Sequence, residues 1–167
     1  MAFKITDPRI GMQPIAETST TQNHPLGTIV RAEDPTYGGG EFIYLKGIGS
    51  TIVGSIVRYD DSFTTALNTS ALTDALPLAV AMSINVASQY GWYQISGLAQ
   101  VAKATSTSFA DGAGIGSASG LAIAVSTNVQ IQGAIVYAVA SAVSGTAPDL
   151  VGVAINRPHD IATAVAA

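Results

Sequence analysis

Few residues in this sequence of 167 residues have the type and spacing that catalysis or metal binding requires. The two histidines, His24 and His159, each adjoin a proline, and neither has a second histidine at the spacing of a metal site. We interpret both as histidines of surface loops. The sequence contains no cysteine, which excludes disulfides, thiolate nucleophiles and cysteine-based zinc sites.

The acidic and glycine-rich segments indicate turns. Asp60 and Asp61 follow an apolar run without the Asp-x-Asp-x-Asp-Gly spacing of a calcium loop, and Asp111 precedes Gly112 as in a tight turn. The glycine-rich segments 47–54 and 114–120 match neither the dinucleotide-binding nor the Walker pattern. We therefore predict no catalytic residues, no metal and no cofactor, and expect a protein that is not an enzyme.

Charged residues are scarce. They make up 11% of the chain, and the net charge is −4, whereas soluble domains average about 25% charged residues. No run of lysine or arginine matches a phosphate backbone, so we expect no nucleic-acid partner. Such a surface is covered either by uncharged polar residues or by other chains, because the cores of interfaces are depleted in charge.

No membrane association or secretion is expected. The most apolar stretch, residues 121–143, is interrupted by serine, threonine, asparagine, glutamine and glycine, which disfavours a spanning helix. The first residues lack the basic region and apolar stretch of a secretory signal, so we expect synthesis in the cytoplasm.

Segments with strand-like composition recur between glycine-rich turns. They are residues 27–32, 41–46, 55–59, 78–84, 92–98, 101–104, 121–125, 135–140 and 150–155. Phe42 and Tyr44 alternate with Ile43 and Leu45, the period-2 pattern that places one face of a strand on a core. A short helical turn fits only residues 70–75, before Pro77. We predict an all-β fold with little helix, a compact β-sandwich or β-barrel-like domain over residues 27–167.

Residues 1–26 are predicted to form an extended arm. Three prolines divide this segment and disfavour a helix or a central strand. Its dispersed apolar residues suggest an arm that lies across a neighbouring subunit, the alternative being a disordered tail. Removal of residues 1–22 is then expected to leave the β domain folded. The arm residues predicted to form an interface are Phe3, Ile5, Ile10, Met12 and Ile15.

The aromatic residues offer a second candidate interface. Core packing explains most of them. Tyr90, Trp92 and Tyr93 lie together in one strand-like segment, and because tryptophan and tyrosine dominate interface hot spots, we predict a subunit contact there.

Part of the sequence resembles the head decoration (cement) proteins of tailed bacteriophages. Residues 91–97, Gly-Trp-Tyr-Gln-Ile-Ser-Gly, match the strand pattern Gly-Trp-x-Gln-(Ile/Val)-x-Gly of that family. A Ser/Thr/Gly-rich segment follows, and then residues 151–154, Val-Gly-Val-Ala, match the family's C-terminal strand. The resemblance covers about residues 78–157.

This resemblance implies a structural virion protein. Such a protein binds the outer surface of the capsid, contacts the major capsid protein, often forms homotrimers, and stabilises the particle by bridging neighbouring capsid subunits. It would be made in the bacterial cytoplasm and reside on the capsid exterior. Two alternatives stay open: another virion component associated with the tail or a fibre, and a carbohydrate-binding β domain with Trp92 in its aromatic platform.

Overall fold

The computed structural model describes residues 4–5, 11–69, 76–85, 87–105, 107–126, 129–137 and 149–160. These residues contain strands and turns and no helix. The strands are β1 (Lys4–Ile5), β2 (Thr18–Ser19), β3 (Ile29–Asp34), β4 (Gly38–Lys46), β5 (Ile56–Tyr59), β6 (Thr65–Leu67), β7 (Leu78–Ala81), β8 (Tyr90–Ala102), β9 (Ile115–Ala118), β10 (Leu121–Ala124), β11 (Ile131–Val136) and β12 (Leu150–Asp160).

The predicted all-β fold is confirmed for the described residues. Ten strands form one antiparallel sheet with the path β1-β3-β4-β8-β7-β5-β6, to which β2 and β12 attach along β8, and β11 attaches along β12. Strands β9 and β10 form a separate hairpin. The helical turn predicted at residues 70–75 lies outside the described residues. In the part of the chain that the structure describes, no helix is long and apolar enough to cross a membrane.

Strands β4 and β8 form the centre of the sheet, and both of their faces are buried. Phe42 and Tyr44 pack in one apolar cluster with Trp92, while Ile43 and Leu45 pack with Tyr93 on the opposite face. The predicted alternation is therefore present. The inference that one face alone meets a core was wrong for β4, because a separate layer of the chain covers each face.

A third cluster, entirely aliphatic in its buried members, joins the second half of β8 to β5 and β7 before it and to β9–β12 after it. Its buried residues are Ile56, Leu78, Val80, Ala99, Val101, Ile115, Ala122, Ile131, Ala134, Val136, Val151, Val153 and Ile155. Alanine is common here because small side chains let neighbouring strands approach closely.

Strand β8 is one continuous strand of 13 residues, whereas the sequence predicted two shorter ones. It pairs with β4 over its first half and with β12 over its second half. Gly97 has a φ of 103°, and a Cβ at this position would lie 2.5 Å from the carbonyl oxygen of Gly39. Glycine thus allows β8 to change direction without ending.

The sequence missed the short strands β1, β2, β6 and β9, placed β11 at residues 135–140 rather than Ile131–Val136, and ended β12 too early. β6 has three residues, and β9 begins inside a segment interpreted as a glycine-rich turn. Gly116 of β9 serves a close approach, since a Cβ there would lie 2.8 Å from Val129. β12 continues through Pro158 to Asp160, pairing with β11 beyond the predicted end at residue 155.

Candidate functional site

Residues 11–26, called here the N-terminal segment, lie on the chain's own sheet. Ile15 is 3% exposed and belongs to the cluster with Phe42 and Trp92, and Met12 packs against the same cluster. Strand β2, within this segment, pairs with the first residues of β8. The prediction that Met12 and Ile15 belong to an arm reaching a neighbouring subunit was therefore wrong for Ile15, because this chain already buries it.

Gln13 holds the N-terminal segment through four polar groups. Its backbone carbonyl accepts a 2.9 Å hydrogen bond from Nε1 of Trp92, and its Oε1 accepts from the hydroxyl of Tyr44 at 3.0 Å. Its backbone amide donates to Nε2 of His24 at 3.0 Å, and its Nε2 donates to the carbonyl of Glu17 at 2.7 Å. These bonds tie Gln13 to β4, to β8 and to the rest of the segment, and because hydrogen bonds are directional they favour one placement of the segment on the sheet.

His24 is part of an aromatic cluster, which the sequence did not reveal. Its ring lies 5.0 Å from Tyr44 and 5.5 Å from Trp92 between centroids, and Tyr90 stacks on Tyr44 at 6.4 Å. Burial lowers the pKa of His24 below its ordinary value. His24 lies in a loop, as predicted, but its ring is half-buried against the β4–β8 face, whereas His159 is exposed and lies in β12 rather than in a loop.

The aromatic interface predicted from the sequence is mostly interior. Trp92 and Tyr93 are both 0% exposed, so neither presents a surface to a partner, and their prediction as interface residues is corrected. Their alternation places Trp92 and Tyr93 on opposite faces of β8, each against a different cluster. Tyr90 is partly exposed and packs beside the cluster of Trp92.

The remaining predicted interface residues lie near the N-terminus. Phe3 and Ile10 lie outside the described residues. Ile5 pairs through its backbone with Ala32 of β3. No feature of the sequence distinguishes these residues from Met12 and Ile15, since all five are apolar residues in a proline-rich stretch.

An exposed apolar strip lies along β11. Ile135 is 53% exposed and Tyr137 is 52% exposed, and the two lie two residues apart on one face. Ala154, opposite Ile135 on β12, is also exposed. Val125 is 43% exposed and lies 3.3 Å from the Cβ position of Gly114, which pairs with Ile135. These four residues, the β11 strip, carry no charge.

A surface groove of about 530 Å³ lies between β3, β4, β8 and β12. Glu41 contacts Arg157 at 2.6 Å and Arg31 at 3.5 Å, one arginine on each carboxylate oxygen. Glu33 also lines the groove, so its two arginines face two glutamates. The groove therefore has no excess charge with which to select an ionic ligand.

The surrounding structure shifts the pKa values of two aspartates in opposite directions. Asp60 accepts hydrogen bonds from Ser62 and Thr64, which lower its pKa, and this confirms the predicted turn. Asp160, at the end of β12, is 8% exposed, and burial raises its pKa. Its Oδ1 accepts a 3.2 Å hydrogen bond from Asn68, and its Oδ2 has no hydrogen-bond partner among the described residues.

Among the described residues, no three His, Cys, Asp or Glu side chains converge in a way that could hold a metal ion. The polar side chains that converge on Gln13 bond to groups of the same chain. The β11 strip is thus the surface whose composition points most directly to an external partner.

Comparisons with protein-family models, curated proteins and solved structures found no match to this chain.

Proposed function

We propose that this chain is a structural virion protein, a head decoration protein that binds the outer surface of a phage capsid and bridges neighbouring capsid subunits. Its partners are then the major capsid protein and further copies of itself in a homotrimer. The protein is made in the bacterial cytoplasm, resides on the capsid exterior and catalyses no reaction.

The β11 strip is the observation that supports this proposal most. Soluble monomers place few large apolar side chains together on one face, and an uncharged group of isoleucine, tyrosine, valine and alanine has the composition of an interface core. The scarcity of charge in the whole chain agrees with a protein whose surface is partly covered by other chains.

Stabilisation by such a protein needs no chemistry. A decoration protein that binds the assembled lattice, and not free capsid subunits, shifts the equilibrium toward the assembled particle. Because many copies bind one particle, a modest affinity at each site produces a large total effect when each copy contacts two capsid subunits. Scarce charge on the chain also predicts that binding changes little with salt concentration.

The alternative of a carbohydrate-binding domain required an exposed ring of Trp92. A glycan platform presents an aromatic ring to solvent, and Trp92 is 0% exposed beneath the N-terminal segment. Substitution of Trp92 would therefore disturb the core rather than test glycan binding.

The test is binding to capsids of the encoding phage that were assembled without this protein. Purified protein is expected to co-sediment with these capsids to a saturating stoichiometry and to raise the temperature at which they disassemble. Isolated tails are the matched control, since preferential binding to tails would place the protein elsewhere on the virion. A folded protein that binds no capsids at saturating concentration would overturn the proposal.

A further inference from the structure

The cluster around His24 contains a titratable ring at the contact between two parts of the chain. We propose that His24 is a pH-dependent switch, which holds the N-terminal segment on the β4–β8 face while its ring is neutral and releases the segment when the ring is protonated. This inference concerns the isolated protein and does not depend on the proposed function.

The hydrogen bond between Gln13 and His24 requires a neutral ring. The donor is the backbone amide of Gln13, which cannot act as an acceptor, so Nε2 of His24 must be the acceptor. The neutral ring then carries its proton on Nδ1. Protonation of Nε2 would place two N–H donors 3.0 Å apart, which removes the bond and leaves the Gln13 amide without a partner.

Loss of this bond affects the whole segment because Gln13 carries the other contacts. The same residue accepts hydrogen bonds from Trp92 and Tyr44, and its side chain also accepts from Asn23 at 2.9 Å. Asn23 precedes His24, so the bonds between Gln13 and residues 23–24 join the two ends of the segment. A shift of Gln13 away from a charged ring therefore weakens the contacts at both ends together.

The surroundings of the ring disfavour its charge. The groups that face it are Tyr44 from β4 and Trp92 from β8, with Tyr90 stacked on the ring of Tyr44, and none of these contacts supplies a carboxylate that would stabilise a charged ring. Within its own segment the acidic residue is Glu17, whose side chain is exposed and which meets Gln13 through its backbone carbonyl.

Two effects act on the charged ring in opposite directions. Cation–π attraction to Trp92 favours protonation in place, whereas burial and the lost bond to Gln13 disfavour it. Burial lowers the pKa of His24 below 6.5 in the folded chain. The contribution of this site to stability is therefore complete above pH 6.5 and is lost as the pH falls through the lower folded pKa.

The chain is well suited to a direct test, because it contains one tryptophan and two histidines. Fluorescence of Trp92 is followed from neutral pH to about pH 4.5, the range in which histidine titrates. The wild-type emission maximum is expected to shift to longer wavelength, with a midpoint below pH 6.5, as the segment leaves the ring of Trp92. Amide exchange in residues 11–26 is expected to accelerate over the same range.

Two variants separate His24 from other acid effects. His24→Gln places an amide oxygen where Nε2 accepts from Gln13 and cannot titrate, so its emission is expected to stay constant. His159→Gln, the matched control, is expected to keep the wild-type transition. The proposal is overturned if wild type and His24→Gln respond alike. It is also overturned if wild-type fluorescence is quenched without a wavelength shift or faster exchange, because the ring would then be protonated in place.

Discussion

Apolar side chains are buried on one face of the sheet and exposed on another. On the β4–β8 face, Phe42, Tyr44 and Trp92 are fully buried beneath the N-terminal segment. On the outer face of β11, Ile135 and Tyr137 remain more than half exposed. The difference is that hydrogen bonds of Gln13 hold a cover on the first face, while no contact within the described residues buries the second.

This contrast distinguishes a face that completes the fold from a face that is available to a partner. Burial of apolar side chains stabilises a face whether the covering residues come from the same chain or from another. Where the chain supplies the cover, truncation should affect stability. Where it does not, substitution should affect binding alone.

The largest expected effect comes from removing the cover. Deletion of residues 1–22 removes Met12, Gln13 and Ile15 and exposes the ring of Trp92. The loss of two buried side chains and their hydrogen bonds is expected to lower the free energy of unfolding by roughly 4 kcal/mol, measured by urea denaturation. The sequence alone predicted that the β domain stays folded after this deletion, whereas the packing of Ile15 and the bond from Trp92 to Gln13 predict a large loss of stability.

Deletion of residues 1–10 is the matched control, because it leaves the N-terminal segment in place. We expect it to retain most of the stability and the emission maximum of buried Trp92. Equal stability of the two truncated proteins would contradict the assignment of residues 11–22 to the core.

A smaller effect is expected from Gln13→Ala. This substitution leaves the buried hydroxyl of Tyr44 without its acceptor and removes the side-chain bond to Glu17. The unfolding free energy is expected to fall by about 1 to 3 kcal/mol, because a buried polar group has lost its hydrogen-bond partner. Gln132→Ala, at an exposed glutamine of β11, should change stability by no more than about 0.5 kcal/mol. Similar losses for both would show that the network around Gln13 is not specific.

The sites of His24 and Asp160 should respond oppositely to acid. The folded pKa of Asp160 is raised, so the folded state binds more protons than the unfolded state between pH 3.8 and that pKa. The destabilisation by the buried Asp160 carboxylate is complete above that pKa and disappears as the pH falls toward 3.8, whereas acid weakens the site of His24. Asp160→Asn is therefore expected to raise the melting temperature at neutral pH, by an amount that shrinks on acidification. A lower melting temperature at neutral pH would mean that the charge is compensated.

The smallest effect on stability is expected at the β11 strip. Ile135→Asp places a charge on a side chain that is already 53% exposed, and Ile84→Asp does the same at a side chain that is 65% exposed. Each substitution should change the unfolding free energy by no more than about 0.5 kcal/mol, as judged by urea denaturation. A large loss for Ile135→Asp would show that the strip is packed within the chain.

Much of the fold was predictable from local patterns. The two central strands were predicted from the alternating residues Phe42 to Leu45 and from the run Trp92 to Leu98, because a period-2 pattern is a local property of the chain. Asp60 and Asp111 marked turns through short-range bonds and the adjacent glycine. The merging of two predicted strands into β8 was not predictable, because it depends on the approach of Gly97 to Gly39 from a distant strand.

The candidate site was harder to predict than the strands. Trp92 and Tyr93 carry the residue types of an interface, but their burial depends on layers that residues 11–26 and 56–67 supply from elsewhere in the sequence. His24 gave no signal, since its partners Gln13, Tyr44 and Trp92 are dispersed over the sequence. Ile135 and Tyr137 resemble buried strand residues until the pairing of β11 shows which face they occupy.

The most direct test of the proposed role is co-sedimentation of wild type, Ile135→Asp and Ile84→Asp with capsids assembled without this protein. Wild type and Ile84→Asp are expected to bind with equal affinity, and Ile135→Asp is expected to bind at least about tenfold more weakly, because a buried unpaired charge is costly at an interface. Equal binding of all three would contradict the β11 strip as the capsid contact. Absence of binding by folded wild-type protein would contradict the decoration role itself.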